Sequence, residues 1–439
     1  MLKRKILDKM NEWKRTKTNQ GLLITGARQV GKTCAIEYFA KKNYSNVIKI
    51  DFVENSDAIE IISGAKNLED LIVRITALAS SPIANGSTLV FFDEIQRCAD
   101  TVTWMRYLAQ DNRFDVIYSG SMLGIEAYNY RSLPVGTIDI LEMFPLDFEE
   151  FSWALGIDES LWEIVRDSFS KKMPVPDFIH QRFMQTFYRY VLVGGMPEAV
   201  QIFASKSDTQ AMRARQTAIL DGYRNDITQY VSNKEHAQRI KTIFNAIPAQ
   251  LNKENRRFIV AGIDKKRRFE NIQSDFDWLT NAGVALPVKR VSEAIFPLGL
   301  SRDDSYFKFY LNDCGLLFST FTAAEVEAII AMRDTLNFGQ AFENAVAQEL
   351  RATGCTNIYY FNKTKIGEVD FLIEKARMPE VLPIEVKSGK NSKKHAALDH
   401  LLEVKNFHLK QAVVLHTKNV EVEESITYLP IYMTSFLCE

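Results

Sequence analysis

The sequence predicts an α/β protein: a parallel sheet with helices on both faces, then a helical middle segment, then a second, mixed α/β sheet. Three observations lead there. Apolar runs at 21–25, 89–92 and 114–118 end in glycine, acidic or serine residues and are separated by helix-forming stretches, the pattern of buried parallel strands. Residues 211–320 are mainly helical in periodicity and end in short strand-like runs around Gly283. Beyond 336, an amphipathic helix leads into NIYYFN, GEVDFLIEKA and VLPIEVKSG, three strand-like runs separated by turns.

Composition sets the bounds. At about 150 residues per domain, 439 residues suggest three domains: 1–210, 211–320 and 321–439. Lys plus Arg is 54 against 55 Asp plus Glu, a net charge of -1, which argues against a protein that coats nucleic acid over its whole surface. The five cysteines are scattered, with no C-x-x-C pair, so a structural zinc site is not expected and a reducing, cytoplasmic setting is. The start MLKRKILDKMNEW has no signal-peptide apolar core, and no run nears the roughly 18 apolar residues of a membrane span.

The elements follow in order. Residues 1–19 read as a helix with Ile6, Met10 and Trp13 on one side. GLLIT is a central strand, followed by a glycine-rich turn and a helix from near Gly31. LVFF (89–92) runs into Asp93-Glu94, and FDVIY (114–118) into Ser119-Gly120-Ser121. In parallel sheets ligands sit at the carboxyl ends of strands, where all three polar signals fall. Gly194, Gly195 and Pro197 break a helical pattern. Helices at 211–231 and 239–251, a basic loop Lys265–Arg268, and helix, turn and strands to 319 suggest a winged-helix-like module. A mixed α/β domain closes the chain.

The sharpest motif is Gly26-Ala27-Arg28-Gln29-Val30-Gly31-Lys32-Thr33. It fits the phosphate-binding pattern G-x-x-x-x-G-K-[ST], with a strand before and a helix after. Glycines let backbone N–H groups curl around phosphate oxygens, and the helix N-terminus adds its own donors. Lys32 is expected on the β- and γ-phosphates of ATP, and the Thr33 hydroxyl on Mg²⁺. Cys34 adjoins the loop and is expected to pack inward. Asp93 is expected to hold Mg²⁺ and Glu94 to polarise the attacking water. The catalytic set is thus Glu94, Lys32 and Asp93. The nucleotide-binding set is residues 26–33 with Cys34 and Ser119, and the metal set is Thr33 and Asp93. Ser119 and Ser121 end the next strand, as γ-phosphate sensors or as loop caps. Arg113 and Arg131 are candidates for an arginine finger.

A second constellation lies near the carboxyl terminus. Glu385 and Lys387 are two apart and share a strand face; Asp370 begins a neighbouring strand and Glu343 lies on the preceding helix. Carboxylates converging beside a lysine suit a divalent metal that activates water. The alternative is a cross-strand ion pair.

This second pattern resembles the PD-(D/E)xK nuclease fold, with Val369 where that family has a proline. The whole chain resembles AAA-type ATPases that carry a carboxyl-terminal DUF4143 domain. The resemblance rests on GARQVGKT (26–33), FFDEIQ (91–96), SLPVG (132–136), FPLDFEEF (144–151), GGMPEAV (194–200), Asp313-Cys314-Gly315-Leu316, FEN (342–344), GEVDF (367–371) and IEVK (384–387). It implies an AAA-type domain using ATP and Mg²⁺, and leaves the substrate open. Two departures stand out: Thr137 where the family has an arginine after the SLPVG glycine, and Met122 in place of a second serine.

Three functions compete. The first is an ATPase acting on DNA through 211–320 and 321–439, supported by Lys265–Arg268 with Arg256 and Arg257. The second is a nucleotide-switched protein that docks a partner or a second copy, with the acidic stretch 147–150 as a docking surface. The third is an ATP-coupled nuclease.

Overall fold

A computed structural model of the chain describes residues 1–17, 20–79, 81–121, 136–231, 233–252, 258–259, 272–319, 322, 325–326, 339–375, 378–389 and 391–438. The backbone divides into two compact units: Met1–Phe144 together with Asn281–Gly283, and Pro145–Thr280 together with Val284–Glu439. The first boundary therefore falls at 144/145, whereas the sequence suggested a first domain reaching 210.

The first unit contains α1 (Ile6–Thr16), β1 (Gly21–Thr25), α2 (Lys32–Asn43), β2 (Asn46–Asp51), α3 (Asp57–Ser63), α4 (Leu68–Ala79), β3 (Thr88–Asp93), α5 (Ala99–Ala109), β4 (Asp115–Ser119) and β5 (Ile138–Glu142). As the periodicity predicts, α1 buries Ile6, Met10 and Trp13. The strands form one parallel sheet in the order β2-β3-β4-β1-β5. Every residue of β1 and β3 is buried, which is why both are unbroken apolar runs. On one face Leu23, Ile48, Val90, Phe92 and Tyr118 pack with Ile62, Ile75 and Met105. The order places β4 between β1 and β3, so the end of β4 lies beside both the loop after β1 and the acids after β3.

The second unit begins with helices: α6 (Phe148–Ala154), α7 (Glu159–Lys171), α8 (Asp177–Val193), α9 (Pro197–Lys206), α10 (Thr209–Tyr230), α11 (Lys234–Leu251) and α12 (Gln273–Asn281), the last reaching one residue into the first unit's segment. Then come β6 (Ala285–Val291), β7 (Arg302–Leu311), α13 (Cys314–Phe318), α14 (Gly339–Ala352), β8 (Tyr359–Lys363), β9 (Gly367–Glu374), β10 (Val381–Val386), α15 (Ala396–Leu402), β11 (Ala412–His416), β12 (Glu421–Glu423) and β13 (Ile426–Pro430). These strands form one mixed sheet in the order β12-β13-β11-β10-β9-β8-β6-β7. The β6–β7 hairpin, grouped by sequence with the middle helices, pairs in parallel with β8. It thus extends the carboxyl-terminal sheet across the expected division at 320. Residues 431–438, expected as strand, form a buried 3₁₀ run.

Several motifs prove architectural. In FPLDFEEF, Asp147 caps α6 in a reciprocal capping box with Glu150. The Phe148 amide donates to Glu349 at 2.8 Å, and the Phe148 ring packs on Trp162, Phe183, Phe187 and Tyr190. Asp147, Glu149 and Glu150 are buried, and Glu149 pairs with Arg166. The acidic docking surface expected at 147–150 is therefore corrected: these acids satisfy groups inside the unit. The GGMPEAV and Asp313–Leu316 segments interlock. A side chain at Gly194 would lie 2.0 Å from Asp313 Oδ1, and one at Gly315 2.4 Å from the Val193 backbone. The Asp313 carboxylate accepts from the amides of Gly195 and Leu316 at 2.5 and 3.1 Å. Burial pushes its pKa up to about 6, although backbone donors at Gly195, Leu316, Gly315 and Met196 favour the ionised form.

The cysteines also differ from expectation. Cys355, just after α14, and Cys438 form a disulfide across a sequence separation of 83. Their distance in sequence carried no sign of this. Cys34, expected to pack inward, is exposed.

Candidate nucleotide site in the first unit

β1 delivers the chain into a loop whose backbone turns left-handed at Gly26 (φ 141°), Gln29 (φ 66°) and Gly31 (φ 95°). Gly26 is required on a second ground: a Cβ there would lie 2.1 Å from the Met143 carbonyl oxygen. Met143 in turn donates its amide to Thr25 at 2.8 Å, so the end of β5 fixes the start of the loop. α2 begins at Lys32 with Gly31 as N-cap, no side-chain cap and no acid in its first turn. The helix N-terminus thus keeps its amides for an anion. The set of donors fits a polyphosphate: a curled backbone, a helix start and one buried ammonium.

Lys32 is buried, and its Nζ donates to the carbonyls of Gly26 and Ala27, each at 2.9 Å. Burial lowers its pKa, the charges of Glu94 and Asp93 raise it, and that of Arg28 lowers it. Two neutral carbonyls are weak partners for a buried ammonium, and anionic phosphate oxygens make stronger, charge-assisted bonds. Arg28 and Thr33 are half-buried and Gln29 exposed at the mouth of the loop, while Ala27 and Val30 pack inward.

The acids after β3 meet this loop. Asp93 is buried, and Ser119, at the end of β4, donates its hydroxyl to Asp93 Oδ1. Burial raises the Asp93 pKa and Glu94 adds to this, while side-chain hydrogen bonds from Ser119 and Thr33, with the Lys49 charge, favour the carboxylate. Thr33 therefore stands beside Asp93, and hard oxygen donors in that arrangement suit Mg²⁺. Glu94 has φ 56° and ψ 48°, a left-handed conformation uncommon for a non-glycine residue. Its amide donates to Ser119 Oγ at 3.3 Å, and its carboxylate accepts from Gln96 Nε2. One hydroxyl thus ties the ends of β3 and β4 together. Ser121 is buried nearby in sequence.

Three residues were not singled out by sequence. Arg4 is buried and donates to Val30 O at 2.9 Å and to Phe144 O at 2.7 Å, bracing the loop against the chain after β5. Lys49 on β2 stands 3.3 Å from Asp51 and 3.7 Å from Asp93. Gln96 orients Glu94. None has a local signature; only the position of Gln96, two residues past Glu94, gives a hint. Arg113, a finger candidate, pairs with Asp111 and Glu69 within the chain. Arg131, Met122, Arg256, Arg257 and Lys265–Arg268 lie outside the described residues.

Residues 18–152 match the family model described as an AAA domain. These residues are an AAA-family P-loop domain. AAA domains bind and hydrolyse nucleoside triphosphates, and the nucleotide set, Asp93, Glu94 and Ser119 all fall inside this one. Beyond the AAA domain, 184–326 and 338–434 match two domains of unknown function, DUF8612 and DUF4143. No curated protein matches the chain. Among solved structures it is similar to the Aeropyrum pernix ORC1 protein in complex with DNA (10% identity, 76% of this chain and 93% of that one, TM-score 0.29). It is also similar to C. elegans PCH-2 (14%, 46% and 61%, 0.26) and to Cdc6p from Pyrobaculum aerophilum (10%, 74% and 93%, 0.24). Likeness at this level says nothing of what this chain binds. Among the described residues no helix is long and apolar enough to cross a membrane.

The carboxyl-terminal constellation comes together differently from expectation. Asp370 accepts from the Val386 amide at 2.9 Å, and Lys387 donates to Glu385 at 2.7 Å, a pair along one strand end and not the cross-strand pair that was the alternative. The carboxylates do not converge on one another. They converge on the ammonium of Lys308 on β7, which stands 2.8 Å from Glu368, 3.4 Å from Asp370 and 3.7 Å from Glu343. Among the described residues no group of three or more His, Cys, Asp or Glu is placed to hold a metal. The donors here do not fit a divalent cation. Lys308 had a signal: it is a lone charge in the apolar run FKFYL.

Proposed function

We propose that the AAA domain binds ATP with Mg²⁺ and hydrolyses ATP. The loop amides and Lys32 hold the phosphates, Thr33 and Asp93 hold the metal, Glu94 polarises water, and Ser119 keeps Asp93 and Glu94 in register. Mg²⁺ supplies charge neutralisation between the phosphates. The observation that supports this most is the bond of Ser119 to Asp93 beside a buried Lys32, because it joins three distant stretches of sequence at the carboxyl end of the sheet. Glu94→Gln is expected to keep ATP binding and slow turnover by about 10²–10⁴-fold, the usual worth of a general base. Parent-like hydrolysis by this variant would remove Glu94 from the role.

DNA remains the proposed partner of the middle segment, through basic residues 256–257 and 265–268 and the winged-helix-like succession of helices and the β6–β7 hairpin. Binding that weakens steeply with salt supports it, because phosphate contacts release counterions; salt-insensitive or absent binding removes it. Nuclease action through Glu343, Asp370, Glu385 and Lys387 is the reading with least support, given the position of Lys308.

A further inference from the structure

The eight-stranded sheet holds a buried charge cluster that the nucleotide chemistry does not use. On β7, Phe307 and Phe309 point to one face, and Lys308 and Tyr310 to the other. All four are buried, Lys308 at 0% exposure. Lys308 and Tyr310 both reach Glu343 on α14, the tyrosine hydroxyl donating to Oε2 at 3.0 Å. From β9, Glu368 and Asp370 reach the same ammonium from a shared strand face. The Tyr360 ring lies 5.3 Å from it. Next to Asp370, Glu385 Oε1 takes the Lys387 ammonium, while Oε2 is buried without a hydrogen-bond partner among the described residues.

We infer that Lys308 is a built-in cation: its ammonium stands where a divalent metal would be held by Glu343, Glu368 and Asp370, and so keeps metal out of this cluster. Hard cations bind carboxylate oxygens at about 2.0–2.6 Å. The oxygens here surround an ammonium at 2.8–3.7 Å, leaving no shared place for a second cation. A metal among these oxygens would also meet the Lys308 charge within a few ångströms, where like charges repel strongly in a buried site. Removing the ammonium leaves the Glu343, Glu368 and Asp370 carboxylates as hard donors around the space it filled.

Mn²⁺ binding by the nucleotide-free full chain, read from the loss of the free-ion electron paramagnetic signal, tests this. The parent and Asp370→Asn/Glu385→Gln are expected to bind Mn²⁺ alike. Lys308→Ala is expected to gain one further Mn²⁺ site, and adding Asp370→Asn to it should weaken that site about 10–100-fold, the usual cost of disturbing a metal's donors. Lys308→Arg, which keeps the charge, should gain none. A folded Lys308→Ala chain with no added site overturns the inference. So does a parent chain whose Mn²⁺ binding falls in Asp370→Asn/Glu385→Gln, and that comparison decides the matter even where Lys308→Ala does not fold.

Discussion

The two units each bury a lysine, and the company those lysines keep differs. Lys32 sits in a curled backbone and donates to two neutral carbonyls, with the acids Asp93 and Glu94 acting at longer range. Lys308 is ringed by three carboxylates. A buried ammonium with only neutral acceptors is poorly compensated and gains much from an incoming anion. One already matched by carboxylates gains nothing from a ligand and is costly to disturb. The difference separates a binding site from a structural one, although both sequences contain a lysine near acids at strand ends.

Four measurements test the difference between the two lysines. The largest effect is expected at Lys308: replacement by Ala leaves buried carboxylates unmatched and should destabilise the folded chain by about 3–5 kcal/mol in urea unfolding. Loss of less than about 1 kcal/mol would mean the cluster is not the buried charge network described, since surface pairs contribute only that much. Next comes Asp313, a buried acid held by amides instead of a lysine. Its folded-state pKa of about 6 lies above the ordinary 3.8, so between those values the folded chain keeps a proton that the unfolded chain has released. Stability should fall as pH rises from about 4 to 6, by up to about 3 kcal/mol, and level off above. Asp313→Asn should flatten that slope; an unchanged profile would assign it to other groups. Lys32→Ala is expected to weaken nucleotide binding by about 1.5–3 kcal/mol, or roughly 10–150-fold, in calorimetry. Unchanged affinity would end the phosphate role. The smallest effect is expected from Lys32→Met on the nucleotide-free chain, within about 1 kcal/mol of the parent or more stable, because an apolar side chain replaces a poorly compensated charge.

What could be read in the sequence follows from how local each feature is. Residues 26–33 are contiguous and their chemistry is carried by backbone shape, so the motif points to the loop directly. Asp93 and Glu94 are legible because an unbroken apolar run fixes where β3 ends. Ser119 is legible for the same reason, though its bond to Asp93 depends on β4 lying between β1 and β3, which no local pattern states. Lys308 was missed because β7 and β9 meet only through the order β9-β8-β6-β7, and register between distant strands is absent from hydropathy. The acids at 147–150 misled because a capping box looks like a surface charge run until its partners are seen. The hold of the Gly195 and Leu316 amides on the Asp313 carboxylate joins two segments far apart in sequence, which no local pattern states.

The Cys355–Cys438 bond has a mechanical consequence. It closes a covalent ring that contains all six strands from β8 to β13. Tension applied to the two ends of the polypeptide passes across the sulfur bridge and bypasses the enclosed strands, so a pulled chain would yield in its first unit, its helices or the β6–β7 hairpin while that ring stays folded. Adding a thiol reductant would return the 83-residue stretch to the load path, and the contour released in a force–extension record would lengthen accordingly.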